Sequence, residues 1–186
     1  MNRPEVSPES TGSGRLQRPK DGQTRFTIFA CALGNILLAD RPEGVCAVLL
    51  GDSEAELLAE LRRRFPGCPL VADDAGLAAR REHLLKGLDG DAVVDELPLA
   101  PEGTAFQQRV WQALRRIPAG STASYSEIAR WIGAPRSARA VAAACAANPI
   151  AVLIPCHRVL RQDGSLSGYR WGVERKRTLL AREAVS

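Results

Sequence analysis

The sequence predicts an α/β (α+β) protein built from two unlike parts. Three observations point there. Short apolar runs punctuated by turn residues occupy positions 26 to 50. Apolar residues at helical spacing dominate the second half. The charge balance also reverses along the chain. Residues 1–100 carry 12 Lys and Arg against 16 Asp and Glu, a net −4, while residues 101–186 carry 13 against 5, a net +8. The 186 residues suffice for one sizeable domain or two small ones sharing an interface, and 45% hydrophobic with 25% charged residues is ordinary for a soluble globular protein.

Residues 1–23 are rich in Pro, Ser, Gly, Arg and Glu, and bury too little apolar surface to offset ordering, so a disordered leader is expected. Order begins near Arg25. Phe26 and Ile28 alternate with Thr27, Gly34-Asn35 offers a turn before Ile36–Ala39, and Val45–Leu50 follows the turn at Pro42-Glu43-Gly44, which together predict a small antiparallel meander. Leu57, Leu58, Leu61 and Phe65 recur at helical spacing before the stop at Pro66-Gly67, and Leu77–Leu88 reads as a further helix. The 24–97 segment is thus an N-terminal α/β domain, and 98–103 a linker into a C-terminal domain over 104–186.

There, Thr104 caps a helix whose Phe106, Val110, Leu114 and Ile117 share one face. Ser124-Tyr125-Ser126-Glu127 has the form of a capping box and opens a short helix that ends at Gly133. Ala134-Pro135 starts the next helix, which runs through Arg139 and Cys145 to Asn148-Pro149 and is made slim by its alanines. Two short helices joined around a glycine have the form of a helix-turn-helix or of a merely structural pair. The basic half, nearly all of it arginine, is equally compatible with a phosphate-binding face and a solvated surface. Trp111 and Trp131 are read as core residues, and Trp171 as core or rim.

The apolar run Ile150–Ile154 is expected to be buried, and delivers Cys156 and His157 to the core edge where Pro155 interrupts regular structure. A thiol becomes a nucleophile when deprotonated, which a neighbouring His and basic residues favour. The five cysteines, Cys31, Cys46, Cys68, Cys145 and Cys156, include no C-x-x-C pair, so free thiols in a reducing compartment are expected. Cys31, Cys46, Cys68 and His83 have the composition of a zinc site but spacings that match none, so they are read as ordinary residues with no metal. Ile150–Ile154 is far too short to span a bilayer and no secretory signal is evident, so a cytoplasmic protein without membrane association is expected.

Pro155-Cys156-His157-Arg158-Val159 resembles the active-site motif of the O6-alkylguanine-DNA alkyltransferases, the methylated-DNA–protein-cysteine methyltransferases. Gly103–Trp111, Ser124-Tyr125, Arg139-Ala140-Val141, Ala147-Asn148-Pro149, Ser167–Gly172 and Lys176 with Leu179-Leu180 and Glu183 extend the likeness, which covers about Arg25 to Glu183 and is strongest to the bacterial Ada-type C-terminal domain. It implies a ribonuclease-H-like α/β domain followed by a helical, winged helix-turn-helix-like domain. It implies direct-reversal repair, in which the alkyl group of O6-alkylguanine, and of O4-alkylthymine, moves irreversibly to Cys156 in one turnover per molecule. The partner is double-stranded DNA, bound by a monomer in the minor groove with the damaged base flipped out; no cofactor is implied.

By the same resemblance, His157 takes the thiol proton through a water, and Glu183 orients His157. Asn148 ties the recognition helix to the Cys156 segment. Tyr125 presses on the target phosphate and supplies a hydroxyl to the guanine. Arg139 fills the space the base leaves, with Arg136, Ala140, Ala143 and Ala147 beside it on the DNA. Val159, Tyr169, Arg170, Trp171 and Lys176 form the substrate pocket, where main-chain groups of Cys156, Val159 and Arg170 read the base edge. The competing readings are a DNA-binding module without chemistry, from which the motif cysteine would be absent, and a cysteine hydrolase, in which adjacent nucleophile and base would be unusual.

Overall fold

The computed structural model describes residues 22–88 and 97–184; the expected leader lies outside these apart from its last two residues. The first half is a sheet crossed by helices. Strands β1 (Thr24–Cys31), β2 (Gly34–Arg41) and β3 (Gly44–Gly51) form the expected meander, followed by α1 (Glu54–Arg64), β4 (Leu70–Ala72) and α2 (Ala78–Leu88). The sheet order is β3-β2-β1-β4, with β4 parallel to β1 through Arg25↔Val71 and Phe26↔Ala72. The three-residue β4 had no sequence signal of its own, since Pro66 and Pro69 crowd it and no alternation can develop in three positions. One turn is displaced from its expected place. The β1–β2 hairpin turns at Ala32-Leu33, and Gly34-Asn35 already lies in β2, because Gly34, with φ 99°, closes the turn rather than heading it.

Every residue from Val45 to Leu50 is buried. β3 is nonetheless the last strand in the sheet, so its outer edge needs cover. Two later segments of the chain supply it. Leu99 bridges Val45, with Val45 N–H donating to Pro98 O at 2.8 Å and Ala100 N–H to Val45 O at 2.8 Å. Ile150 bridges Val48, with Val48 N–H donating to Pro149 O at 3.0 Å and Ala151 N–H to Val48 O at 2.9 Å. The 98–103 segment therefore docks on the sheet at its beginning.

The second half contains α3 (Ala105–Leu114), α4 (Tyr125–Trp131), α5 (Ala138–Ala147) and α6 (Val173–Glu183), with a two-stranded parallel pair of β5 (Ala123–Ser124) and β6 (Val159–Leu160). Both expected caps form. Thr104 accepts from Gln107 N–H and Ser124 from Glu127 N–H, each completed as a capping box. Trp111 is core, and its indole N–H donates to Ala144 O at 2.9 Å, locking α3 against α5.

Two expectations fail here. α5 starts at Ala138, three residues beyond Pro135. Gly133, with φ 72°, ends α4 in a Schellman motif in which its own N–H reaches Arg130 O and Ala134 N–H reaches Ala129 O, so residues 134–137 are consumed in a turn. Trp131 is not core: it is 49% exposed, because the seven-residue α4 buries Ile128 and Ala129 and leaves its last residue outward. No helix among the described residues is long and apolar enough to cross a membrane.

Candidate active site

The run Ile150–Ile154 is buried throughout, as its composition predicts. It is not a strand but a tight turn in which Val152 adopts φ 68°, a costly conformation for a β-branched residue. Asn148, the C-cap of α5, holds the turn together. Its side-chain N–H groups donate to Ile154 O at 2.9 Å and to Cys156 Sγ at 3.1 Å, while Ile150 N–H donates to Asn148 Oδ1 at 2.9 Å. One fully buried amide thus joins the end of α5 to the nucleophile segment.

Cys156 opens a single 3₁₀ turn, Cys156–Arg158, and lines a cavity of about 680 Å³ between α5 and the 161–170 loop. Tyr125, Arg139, Tyr169 and Arg170 also line this cavity. Burial pushes the Cys156 thiol up, while the hydrogen bond from Asn148 and the charge of Lys176 pull it down. Burial dominates, so the resting group is a thiol.

His157 is fully buried and its pKa is held below 6.5 by burial, with Glu183 pulling the other way. The imidazole is therefore neutral near pH 7. Glu183 is ionised, lowered to about 2 by hydrogen bonds from His157 and Arg158 that outweigh its desolvation. Nε2 of His157 lies 2.8 Å from Glu183 Oε1. A carboxylate only accepts, so Nε2 carries the proton and Nδ1 has the lone pair. That Nδ1 is buried with no hydrogen-bond partner. Arg158 donates to both Glu183 oxygens, Nε to Oε2 at 3.0 Å and Nη2 to Oε1 at 2.9 Å, and to Ile117 O, which fixes the carboxylate.

A second chain of polar groups reaches the cavity. Lys176, fully buried, donates from Nζ to Val159 O at 2.5 Å and to Ser167 Oγ at 2.9 Å, and Ser167 Oγ lies 2.6 Å from the Tyr125 hydroxyl. Burial lowers the Lys176 pKa and raises that of Tyr125. Val159, Lys176 and Trp171 lie behind the cavity surface rather than on it, and the Val159 carbonyl is engaged by Lys176. The outer face of α5 exposes Arg139, Ala140 and Ala143, with Ala147 half-buried, and Arg136 is exposed in the turn before the helix.

Ser167 and Arg158 join the site through contacts that no residue-level signal in the sequence marks. Each lies within a motif segment of the sequence, but only the folded geometry shows one bridging Lys176 to Tyr125 and the other clamping Glu183. Cys31 and Cys68 are half-buried, Cys46 is buried with its thiol pushed up to about 12, and no cluster of three or more His, Cys, Asp or Glu side chains suited to a metal occurs among the described residues.

Residues 105–185 match the family model for the DNA-binding domain of 6-O-methylguanine DNA methyltransferase. The bifunctional transcriptional activator/DNA repair enzyme Ada of Escherichia coli K12 is 50% identical over 160 residues, covering 86% of this chain and 45% of Ada. The inducible methylated-DNA–protein-cysteine methyltransferase of Bacillus subtilis 168 is 46% identical over 125 residues, covering 67% of this chain and 70% of that protein. Among solved structures, Mycobacterium tuberculosis OGT in complex with DNA has a TM-score of 0.74 at 34% identity, over 88% of this chain and 93% of that one. The chain spans about half the length of most of the curated relatives it matches.

Proposed function

The chain belongs to the methylated-DNA–protein-cysteine methyltransferase family, and from that membership we propose that it repairs DNA by moving an alkyl group from O6-alkylguanine, and from O4-alkylthymine, to Cys156 once per molecule. The observation that carries this reading is the cavity beside α5, with Cys156 in its wall and a neutral, Glu183-held histidine buried next to it in the chain.

His157 Nδ1 takes the thiol proton through a water. The thiolate attacks the saturated carbon in line with O6, the C–O6 bond breaks with its electron pair going to the guanine, and a thioether forms. The leaving guanine gains a hydrogen bond from the Tyr125 hydroxyl, which Ser167 and Lys176 support from behind; it then takes one proton from water, while His157 releases the former thiol proton to water. Lys176 also favours the thiolate electrostatically. No step regenerates the thiol, because a thioether does not hydrolyse; the protein is consumed.

An alkyl group at O6 sits inside the base stack, so the base must leave the duplex to reach a buried sulfur. The exposed alanines of α5 support entry into the minor groove, where a slim helix fits, and Arg139 at the cavity edge is suited to fill the vacated stack while Arg136 meets phosphate. The sheet order β3-β2-β1-β4 supports a ribonuclease-H-like first domain over 24–97, and the α4–turn–α5 unit beside β5 and β6 supports a winged helix-turn-helix-like second domain over 104–186, joined through 98–103. The protein is proposed to work as a monomer in the cytoplasm, and the five free cysteines support the reducing compartment.

The test is intact mass after mixing with O6-benzylguanine, with peptide mapping. One benzyl increment on Cys156 is expected. No increment would indicate a DNA-binding module, and repeated turnover of an ester a cysteine hydrolase.

A further inference from the structure

The 161–172 loop forms one side of the cavity, yet its position is governed in part from the first half of the chain. Arg170 lines the cavity. Its guanidinium donates from Nη1 to Ala146 O in the last turn of α5 at 3.1 Å, lies 5.1 Å from the Trp171 ring centre, and pairs through Nη2 with Glu60 Oε1 on α1 at 2.5 Å. Glu60 is the hub of this contact. Its side chain is only 19% exposed and also takes bonds from Arg63 and Arg64, both on its own helix. Nearby, Arg175 at the start of α6 donates to Trp171 O at 2.8 Å in the loop and to Leu33 O at 2.6 Å in the β1–β2 turn. The loop is thus tied to the sheet domain on both sides of Trp171.

We infer that Glu60 is a positioning residue for alkyl transfer: through Arg170 it holds the pocket loop against the end of α5 and so keeps the cavity formed before any DNA arrives. The inference rests on the proposed alkyl transfer to Cys156. Glu60 is not read as touching the substrate. Its carboxylate fixes a guanidinium that would otherwise be free to swing away from Ala146 O, and the wall between loop and helix would loosen with it. The consequence depends on the substrate. A free base makes few contacts and relies on a preformed pocket, whereas a duplex brings many contacts of its own that can order the loop.

The experiment compares wild type with Glu60→Ala, Glu60→Gln, Arg170→Ala and the Glu60→Ala/Arg170→Ala double variant. Single-turnover benzyl transfer is followed against free O6-benzylguanine concentration, and methyl transfer from O6-methylguanine at saturating duplex. Glu60→Ala should raise the half-saturating concentration of free base about threefold to fivefold, the scale of a partly exposed ion pair, with the limiting rates moving less. Glu60→Gln, which keeps an acceptor for Arg170, should fall between. Arg170→Ala should show the same shift, and adding Glu60→Ala to it should change nothing further, because Glu60 acts only through that arginine. Arg170→Ala leaves the Glu60 bonds to Arg63 and Arg64 in place, so it tests the clasp even if Glu60→Ala unsettles α1. The inference is overturned if Glu60→Ala keeps its full effect in the Arg170→Ala background, or if free-base and duplex reactions fall in equal proportion. A wild-type protein that accepts no benzyl or methyl group overturns the functional reading itself and this inference with it.

Discussion

The two halves of this molecule divide their labour by charge and by kind of contact. The first half is acidic, and its buried polar groups serve the fold: fully buried Asp40 takes two bonds from Arg25, at 3.0 and 2.8 Å, and a third contact from Arg80 at 3.0 Å. The second half is basic, and its buried polar groups converge on a cavity. Asn148 meets Cys156, Glu183 meets His157, and Lys176 meets Ser167 and Tyr125. The first half nonetheless grips the second, through β3 Val48 on either side of Ile150 and through α1 Glu60 on Arg170. The difference teaches that the chemistry here is local, while the geometry that poises it is shared across the chain.

Removing the sulfur separates chemistry from binding most sharply. Cys156→Ala should abolish transfer while duplex affinity, drawn from the basic half, stays near wild type; gel-shift and mass measurements on one sample test both. Alkylation of Cys145 in that variant at a comparable rate would contradict the assignment, since burial raises that thiol above its usual range.

The next largest loss should come from the base. His157→Ala should slow transfer roughly a hundredfold or more, and Glu183→Gln less, since a neutral amide still accepts from Nε2. Because burial holds His157 below 6.5, the wild-type rate should fall off only at more acid pH. Glu183 raises the His157 pKa, so in Glu183→Gln the acid limb should move to still lower pH; an unmoved limb would remove His157 as the titrating base. Glu183 titrates in the opposite sense for stability. With its folded pKa lowered from 4.5 to about 2, its contribution is complete above pH 4.5 and is lost as pH falls through about 2.

A smaller effect distinguishes wedge from clamp within the second half. Arg139→Ala should slow duplex repair about tenfold, the cost of losing part of a base-flipping aid, and spare free O6-benzylguanine. Tyr125→Phe should slow both, because its hydroxyl serves the leaving guanine in either case. If Arg139→Ala reacts normally once saturated with duplex, that arginine is a phosphate contact only. The smallest effect on chemistry should come from the first half. Asp40→Ala leaves two arginines without their buried carboxylate and should cost about 3 kcal/mol of stability in urea melts, with little change in transfer per folded molecule. A large loss of transfer in the folded fraction would mean that the sheet does more than hold.

Much of this could be read along the chain because it depends on near neighbours. The cap at Thr104, the capping box at Ser124, the stop after Phe65 and the meander of short apolar runs between turns are properties of windows a few residues wide, and the side chains in those windows decide them. Trp131 and the start of α5 depart from the sequence expectation for the opposite reason. Whether a tryptophan near a helix end is covered depends on what packs over it, and whether Pro135 opens a helix depends on how many residues the preceding Schellman turn consumes.

By itself the sequence supplied the candidate reactive group Cys156, the candidate base His157 beside it and the motif context that joins them to Glu183, because reactive atoms are carried by residue types. Only the tertiary structure decided how those groups behave. Burial keeps Cys156 a thiol and His157 neutral, Arg158 and Glu183 set which ring nitrogen holds the proton, Ser167 connects Lys176 to Tyr125, and Glu60 reaches the pocket from 110 positions away. The physical reason is that desolvation and hydrogen-bond direction depend on everything packed around an atom, and most of what surrounds a buried atom comes from distant parts of the chain.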